Sequence, residues 1–189
     1  MRRRRLLALT LVVPAVAACG NSRTPLPDLT TAATPHGVRS VTYPRLGIKF
    51  NAPVNWTVAS QTAPLVATVT SGAATVAVWR YQRAAPVPAT SAALDHTRTA
   101  LVRAVQARDP SLRLIRSTLG QLQGSPSIVL DAVEQISGHE RRVRSIHLFR
   151  PGAEFVVDEY APTNEFSKVD QVVFSPLRRS LTLIPAPAA

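Results

Sequence analysis

The stretch GIKFNAPVNW, residues 47–56, contains the clearest strand signal in the chain. Two apolar side chains, Ile48 and Phe50, alternate with polar ones, which is the period of a strand with one buried face. Pro53 has no backbone N–H to donate, so we expect it to end this strand before Trp56 opens the next one.

Further along the chain, short apolar runs alternate with turn residues. Residues 65–70 and 75–82 flank Ser71 and Gly72, which predicts a β-hairpin. Four more strands are predicted at residues 112–119, 127–136, 140–149 and 154–161, with glycine turns between them. The sequence therefore predicts an antiparallel sheet of about six to seven strands.

Two helices complete this pattern. Leu94, Leu101 and Val105 share one face of a helix that Thr90 or Ser91 can cap. A second helix is expected from about residue 163. It presents four apolar side chains at helical spacing: Phe166, Val169, Val173 and Leu177. We therefore predict an α+β fold in which helices pack on the faces of the sheet.

Two groups of residues resemble one known fold family. Gly47, Ile48, Phe50, Pro53 and Trp56 resemble the opening of the fold shared by the photosystem II extrinsic protein PsbP and its bacterial relatives. Near the end of the chain, the residues that resemble the closing strand and helix in actinobacterial, mycobacterial-type envelope lipoproteins are Tyr160, Ala161, Pro162, Phe166, Ser180 and Leu181. The resemblance implies a PsbP-like α/β/α sandwich, with residues 47–56 at the start of its sheet and no common active site.

Asn55 departs from the pattern of that family, in which a glycine is usual before the tryptophan. Asparagine is the next best residue for a left-handed backbone conformation. A left-handed turn before Trp56 therefore stays available to this chain.

The N-terminus has the features of a bacterial lipoprotein signal. Four arginines at residues 2–5 precede an apolar run that is too short to span a bilayer. Residues 16–19, VAAC, resemble a lipobox, in which the cysteine receives a diacylglyceryl group before cleavage. We predict a signal peptide at residues 1–18 and lipidation of Cys19, with acyl chains such as palmitate that anchor the protein to the extracytoplasmic face of the cell membrane. An ordinary signal peptide cut after Ala18 is the alternative.

The rest of the chain is predicted to form a tether, one domain and a tail. Residues 19–40 are rich in Thr, Pro and Ala and are expected to be a flexible tether. Residues 41–184 form the PsbP-like domain, and residues 185–189 a disordered tail. The chain has 22 basic and 11 acidic residues and a single cysteine, so disulfides within the domain are excluded. Nucleic acid is not expected as a partner, because no aromatic residues interleave with a basic stripe.

A group of arginines is the strongest polar feature of the predicted domain. Arg141, Arg142, Arg144 and Arg150 can contact an anionic partner, because guanidinium groups bind phosphate and carboxylate in a bidentate way. The favoured alternative is an exposed or edge strand whose charges prevent pairing with other chains.

Catalytic residues are sparse. His139, Ser145 and His147 fall on one face of a strand by parity, but no recognised spacing places Glu134 or Glu140 as further metal ligands. The sequence contains neither a Gly-x-Ser-x-Gly elbow nor a glycine-rich phosphate loop. We therefore predict no enzymatic activity, no metal and no cofactor.

Two functions stay open. The favoured one is a non-catalytic protein-interaction or assembly module whose partner is another envelope protein. The other is a carrier or sensor of an apolar or amphiphilic envelope molecule, held between sheet and helix where Ala74, Ala77 and Ala132 leave room. A cavity beneath the first helix would favour the carrier, and a filled core would favour the interaction module.

Overall fold

The computed structural model describes residues 31–184. The predicted signal peptide, Cys19 and the tail at residues 185–189 lie outside the described residues. In chain order the strands are β1 (Arg39–Tyr43), β2 (Ile48–Ala52), β3 (Thr57–Ser60), β4 (Leu65–Ser71), β5 (Ala74–Gln82), β6 (Arg113–Leu122), β7 (Ser125–Ile136), β8 (His139–Arg150), β9 (Ala153–Pro162) and β10 (Thr182–Leu183).

Seven of these strands form the main sheet, in the order β3-β4-β5-β9-β8-β7-β6. All of its pairings are antiparallel, and most join strands that follow one another in sequence. Glycines turn the chain between the last four strands, and Gly124, Gly138 and Gly152 all have the positive φ that such tight turns require. The predicted antiparallel sheet of six to seven strands is confirmed.

The resemblance implied that residues 47–56 start the main sheet, but the structure places them differently. Its strand β2 belongs to a small second sheet of order β1-β2-β10, and it does not start the main sheet. Ile48 and Phe50 are fully buried, as their alternation predicted. Neither outer strand of this sheet was predicted. β10 has only two residues and therefore no periodicity of its own, and the first two residues of β1 fall in the predicted tether.

The first helix, α1 (Ser91–Arg108), agrees with the prediction. The Thr90 hydroxyl oxygen accepts a hydrogen bond from the backbone N–H of Ala93 and caps the helix. After β9 the chain forms one helical run, composed of α2 (Phe166–Val169), a π-helical turn (Asp170–Phe174) and α3 (Ser175–Ser180). All four predicted apolar side chains of this run are buried: Phe166, Val169, Val173 and Leu177. None of the helices within residues 31–184 combines the length and the apolar character that are needed to cross a bilayer.

The two faces of the main sheet are covered unequally. One face packs against the small sheet and the C-terminal helical run, in a large core that contains Phe50, Trp56 and Phe174. The other face packs against α1 through a small cluster formed by Leu94, Ile128, Leu130 and Phe149. Because α1 contacts mainly β6 and β7, the middle strands of the sheet are left partly open on this side.

The described end of the predicted tether lies against the domain. The Trp56 indole N–H donates to the carbonyl of Ala33 over 3.1 Å. The Asn55 side chain accepts from the backbone N–H of His36 and donates to the carbonyl of Thr34. Asn55 has no positive φ, so the left-handed turn considered for it is not formed. Its side chain instead holds residues 34–36 in place, and β1 begins at Arg39, before the predicted domain boundary.

Candidate functional site

A cleft of about 240 Å³ lies between α1 and the open middle of the main sheet. Its apolar lining consists of Leu101, Val105, Leu112, Leu114, Leu130, Ala132, Val143 and Val156. The polar lining consists of Tyr81, Arg108, Glu134, Ser145, His147, Glu154, Asp158 and Tyr160. The helix supplies apolar side chains and the exposed Arg108, while the central strands supply the carboxyl, hydroxyl and imidazole groups.

Strand register explains why these polar groups meet. Ser145 on β8 pairs directly with Asp158 on β9, and His147 pairs with Val156. Residues directly opposite each other in antiparallel strands point to the same face, so Ser145, His147 and Asp158 all project towards the cleft. The hairpin at Pro151 and Gly152 brings Glu154 to the same face two positions before Val156.

A continuous chain of polar contacts runs along the side of the cleft that β8 and β9 form. The Ser145 hydroxyl donates to Asp158 Oδ1 at 2.5 Å, and its oxygen lies 3.1 Å from His147 Nε2. His147 Nδ1 lies 2.7 Å from Glu154 Oε1. The other oxygen of Glu154 accepts a hydrogen bond from Arg83 at 3.3 Å. This chain fixes the orientation of the His147 ring and of the Ser145 hydroxyl.

The carboxylates make the cleft unfavourable for additional negative charge. Burial raises the pKa of the Tyr160 phenol well above its usual value, and the charge of Asp158, a hydrogen bond to Asp158 and the charge of Glu134 raise it further. The pKa of Tyr81 is raised by burial and by the charges of Asp158 and Glu154. Burial also raises the pKa of Glu134, while the charge of Arg108 lowers it. Both phenols therefore stay protonated at neutral pH and are able to donate a hydrogen bond to a ligand.

The distances between Ser145, His147 and Glu154 are those of a serine–histidine–acid triad, but two conditions for catalysis are unmet. The Ser145 hydroxyl donates its proton to Asp158, whereas a triad serine donates to its histidine. An oxyanion hole needs free N–H donors beside the nucleophile. β8 is paired continuously with β7 and β9 around Ser145, so its backbone N–H groups are already used. The arrangement therefore lacks the serine-to-histidine hydrogen bond and the free backbone N–H donors of a serine–histidine–acid hydrolase.

Metal binding has no support in the part of the chain that the structure describes. Within residues 31–184, no group of three or more His, Cys, Asp or Glu side chains is arranged to hold a metal ion. His139, which shares the parity of His147, is exposed at the β7–β8 hairpin and does not line the cleft.

The four predicted anion-binding arginines do not form one cluster. Arg142 and Arg144 lie on the face opposite the cleft, where both guanidinium groups pack over the Phe166 ring. Arg141 alternates to the cleft face, and Arg150 donates to the carbonyl of Leu183 at 3.3 Å. The favoured interpretation of an exposed or edge strand is wrong, because β8 is an inner strand with partners on both sides.

Arg144 is held in an internal ion network. Its Nε donates to Asp131 at 3.0 Å, and its Nη1 donates to Asp170 at 2.7 Å. Arg178 contacts both Asp170 and the fully buried Glu159. Burial raises the pKa of Glu159 to about 7 against the opposing effect of the arginines. The network connects the main sheet, through Arg144 and Glu159, to Asp170 and Arg178 of the C-terminal helical run.

Solved structures of other proteins have the same architecture. The solution structure of cyanobacterial PsbP, CyanoP, from Synechocystis matches with a TM-score of 0.59 at 11% identity and covers 89% of this chain and 98% of that one. The fold is PsbP-like. The crystal structure of LpqN, involved in cell envelope biogenesis of Mycobacterium tuberculosis, matches with a TM-score of 0.55 at 16% identity and covers 79% of this chain and 91% of that one. No protein-family model matches the chain, and no curated protein matches it either.

Sequence reasoning found only part of the cleft in this PsbP-like fold. It placed Ser145 and His147 on one face, but it missed Glu154 and Asp158, which complete the polar chain from β9. Two signals could have identified them. Glu154 and Asp158 lie an even number of residues apart on one strand and therefore share a face, and the turn at Gly152 sets which β9 residues lie opposite Ser145 and His147. Ala132 lines the cleft as the carrier hypothesis requires, whereas Ala74 packs in the large core on the other face.

Proposed function

We propose that this protein is a non-catalytic, membrane-anchored lipoprotein of an actinobacterial cell envelope, and that its PsbP-like domain binds a small amphiphilic molecule as a carrier or sensor. The cleft between α1 and the main sheet is the observation that carries this proposal. The anchor is supported by the lipobox-like residues 16–19. The envelope role is supported by the likeness of the fold to that of LpqN, a protein involved in cell envelope biogenesis.

The two sides of the cleft match the two parts of an amphiphile. Leu101 and Val105 of α1 face apolar side chains of β6 and β7, which suits an alkyl segment. The chain from Glu154 through His147 and Ser145 to Asp158 suits a polar headgroup, which can bind at its Asp158 end because these groups are already oriented. Ligand sites commonly combine such an apolar lining with a few convergent polar groups.

A fluorescence titration tests this proposal. N-phenyl-1-naphthylamine emits more strongly in apolar surroundings, and we expect saturable enhancement with the wild-type chain. Ala132→Phe places a ring inside the cleft and should abolish the enhancement. Ala104→Phe adds the same ring to the exposed face of α1 and should leave it unchanged. Equal enhancement in all three proteins would contradict binding in the cleft.

A protein-interaction module is the second candidate, and the outer edge of the main sheet favours it. β6 is the end strand of the described sheet, and it exposes 53% of Ile115 and 38% of Leu119. An edge strand with exposed apolar side chains can accept a strand from a partner protein. A photocrosslinking residue at Ile115 should capture an envelope protein in intact cells. Absence of any product above the level at an exposed α1 position would exclude this edge as an interface.

A further inference from the structure

The charge of the cleft is opposite to the charge of the chain. The whole chain has a net charge of +11. The cleft lining nevertheless contains three carboxyl groups, those of Glu134, Glu154 and Asp158, and a single arginine, the exposed Arg108. A cavity with this balance attracts a ligand group of positive charge.

Two of the three carboxylates form no direct ion pair among the described residues. Glu154 is compensated, because it pairs with Arg83 and contacts His147. Asp158 accepts a hydrogen bond from the uncharged hydroxyl of Ser145 and forms no ion pair with the described residues.

Glu134 is the second carboxylate without a direct ion pair; burial raises its pKa, and the nearby charge of Arg108 opposes that shift. It lies beside Arg141 in the β7–β8 register, yet within residues 31–184 it forms neither an ion pair nor a hydrogen bond. Its side chain lines both the cleft and the groove that continues past Tyr160. A cation placed near Glu134 would stabilise its charged form.

Aromatic rings border the same space. Tyr160 lies next to Asp158 in the alternation of β9, and Tyr81 lines the cleft from β5. Behind Tyr81, the Trp79 ring stacks at 6.2 Å with an interplanar angle of 10° and limits its movement. Carboxylates together with aromatic faces are the groups that recognise alkylated ammonium ions.

We infer that the cleft selects amphiphiles with a cationic headgroup, an amine or alkylated ammonium, which binds between Glu134, Asp158 and Tyr160 while the alkyl chain lies along Leu101 and Val105. This inference rests on the proposed function and specifies its ligand class. It runs against the net charge of the chain, which alone would favour anionic amphiphiles.

Isothermal titration with three probes of equal chain length tests the inference. Dodecyltrimethylammonium, dodecyl sulfate and octaethylene glycol monododecyl ether are cationic, anionic and uncharged, and each is used below its critical micelle concentration. We expect the cationic probe to bind at least about tenfold more tightly than either of the others, because one half-buried charge pair gives a change of this order.

Variants assign the preference to the cleft. Glu134→Gln combined with Asp158→Asn should weaken the cationic probe by about tenfold or more relative to the uncharged probe. Glu140→Gln removes an exposed carboxylate outside the cleft and should change neither. Each single substitution is measured as well, so that loss of folding in the double variant does not decide the result.

The outcomes separate this inference from the proposed function. If the three probes bind equally and Ala132→Phe abolishes all binding, the charge selection is overturned and the amphiphile site stands. If Ala132→Phe affects none of them, both the selection and the proposed function are overturned.

Discussion

The Nε2 atom of His147 lies 3.1 Å from the hydroxyl oxygen of Ser145, two residues earlier on the same strand. Strand alternation places both side chains on the face beneath α1, and the β8–β9 register adds Asp158 to them. The serine proton points to Asp158, at 2.5 Å, and not to the imidazole. Ser145, His147 and Glu154 have the spacing of a hydrolytic triad, but they form a chain of hydrogen-bonding groups along the sheet side of the cleft.

This geometry predicts that Ser145 does not act as a nucleophile. With p-nitrophenyl butyrate as substrate, the wild-type chain and Ser145→Ala should release p-nitrophenol at the same slow background rate. The reason is the lack of free backbone N–H donors beside Ser145 on the doubly paired β8. Wild-type turnover more than about tenfold above that of Ser145→Ala would show that a functional triad exists.

Arg144 is predicted to be a major source of stability. Arg144→Met removes one cationic partner each from the buried Asp131, which keeps Arg116, and from Glu159, which keeps Arg178, and we expect the free energy of unfolding to fall by about 1.5–3 kcal/mol. Arg113→Met removes an exposed ion pair with Glu140 and should cost less than about 1 kcal/mol. Urea denaturation of both variants measures the difference. Equal losses would mean that the buried network contributes no more than a surface pair.

The raised pKa of Glu159 predicts that the thermal stability of the protein depends on pH. Its folded-state pKa of about 7 lies above the ordinary value of 4.5, so the folded chain holds this proton more tightly than the unfolded chain. The resulting stabilisation is fully present below about pH 4.5 and is lost as pH rises through 7. Thermal melting between pH 5 and about pH 8 should show a falling Tm for the wild type and a flatter profile for Glu159→Gln. The exposed control Glu140→Gln should retain the wild-type slope, and a slope that is equally steep in Glu159→Gln would assign it to another group.

The expected lipidation of Cys19 predicts that the protein is found in the membrane fraction. Cys19→Ala removes the predicted acylation site, so the chain should move from the membrane fraction to the soluble extracytoplasmic fraction or the medium. Ser22→Ala, three residues further on, keeps the lipobox-like sequence and should stay in the membrane fraction. Cell fractionation with immunoblotting measures both. Retention of Cys19→Ala at the membrane would contradict lipid anchoring through this residue.

The two helices and the strands other than β1 and β10 were predictable because their signals are local. Alternation, glycine turns and the Thr90 cap each act over a few residues, and the structure follows them closely. The small sheet was not predictable, because β10 pairs with β2 only after the chain has folded. Placement of β2 in the main sheet failed for the same reason, since alternation reveals a strand but not its neighbour.

The polar sites were also only partly predictable, because their partners come from distant parts of the chain. Parity placed Ser145 and His147 together, but the choice of Asp158 as their partner needed the register of two strands. Arg144 was interpreted as part of a surface cluster, because its partners Asp131 and Asp170 lie 13 and 26 residues away in sequence. Charges that are far apart along the chain leave no local sign that they compensate each other in a core.

Native mass spectrometry of the chain purified from the membranes of its own host tests the central claim most directly. We predict an additional mass of a small amphiphile on the wild-type chain and on Ala104→Phe, and its loss from Ala132→Phe. A wild-type chain without any bound molecule, or an equal additional mass on Ala132→Phe, would contradict a ligand site in the cleft beneath α1.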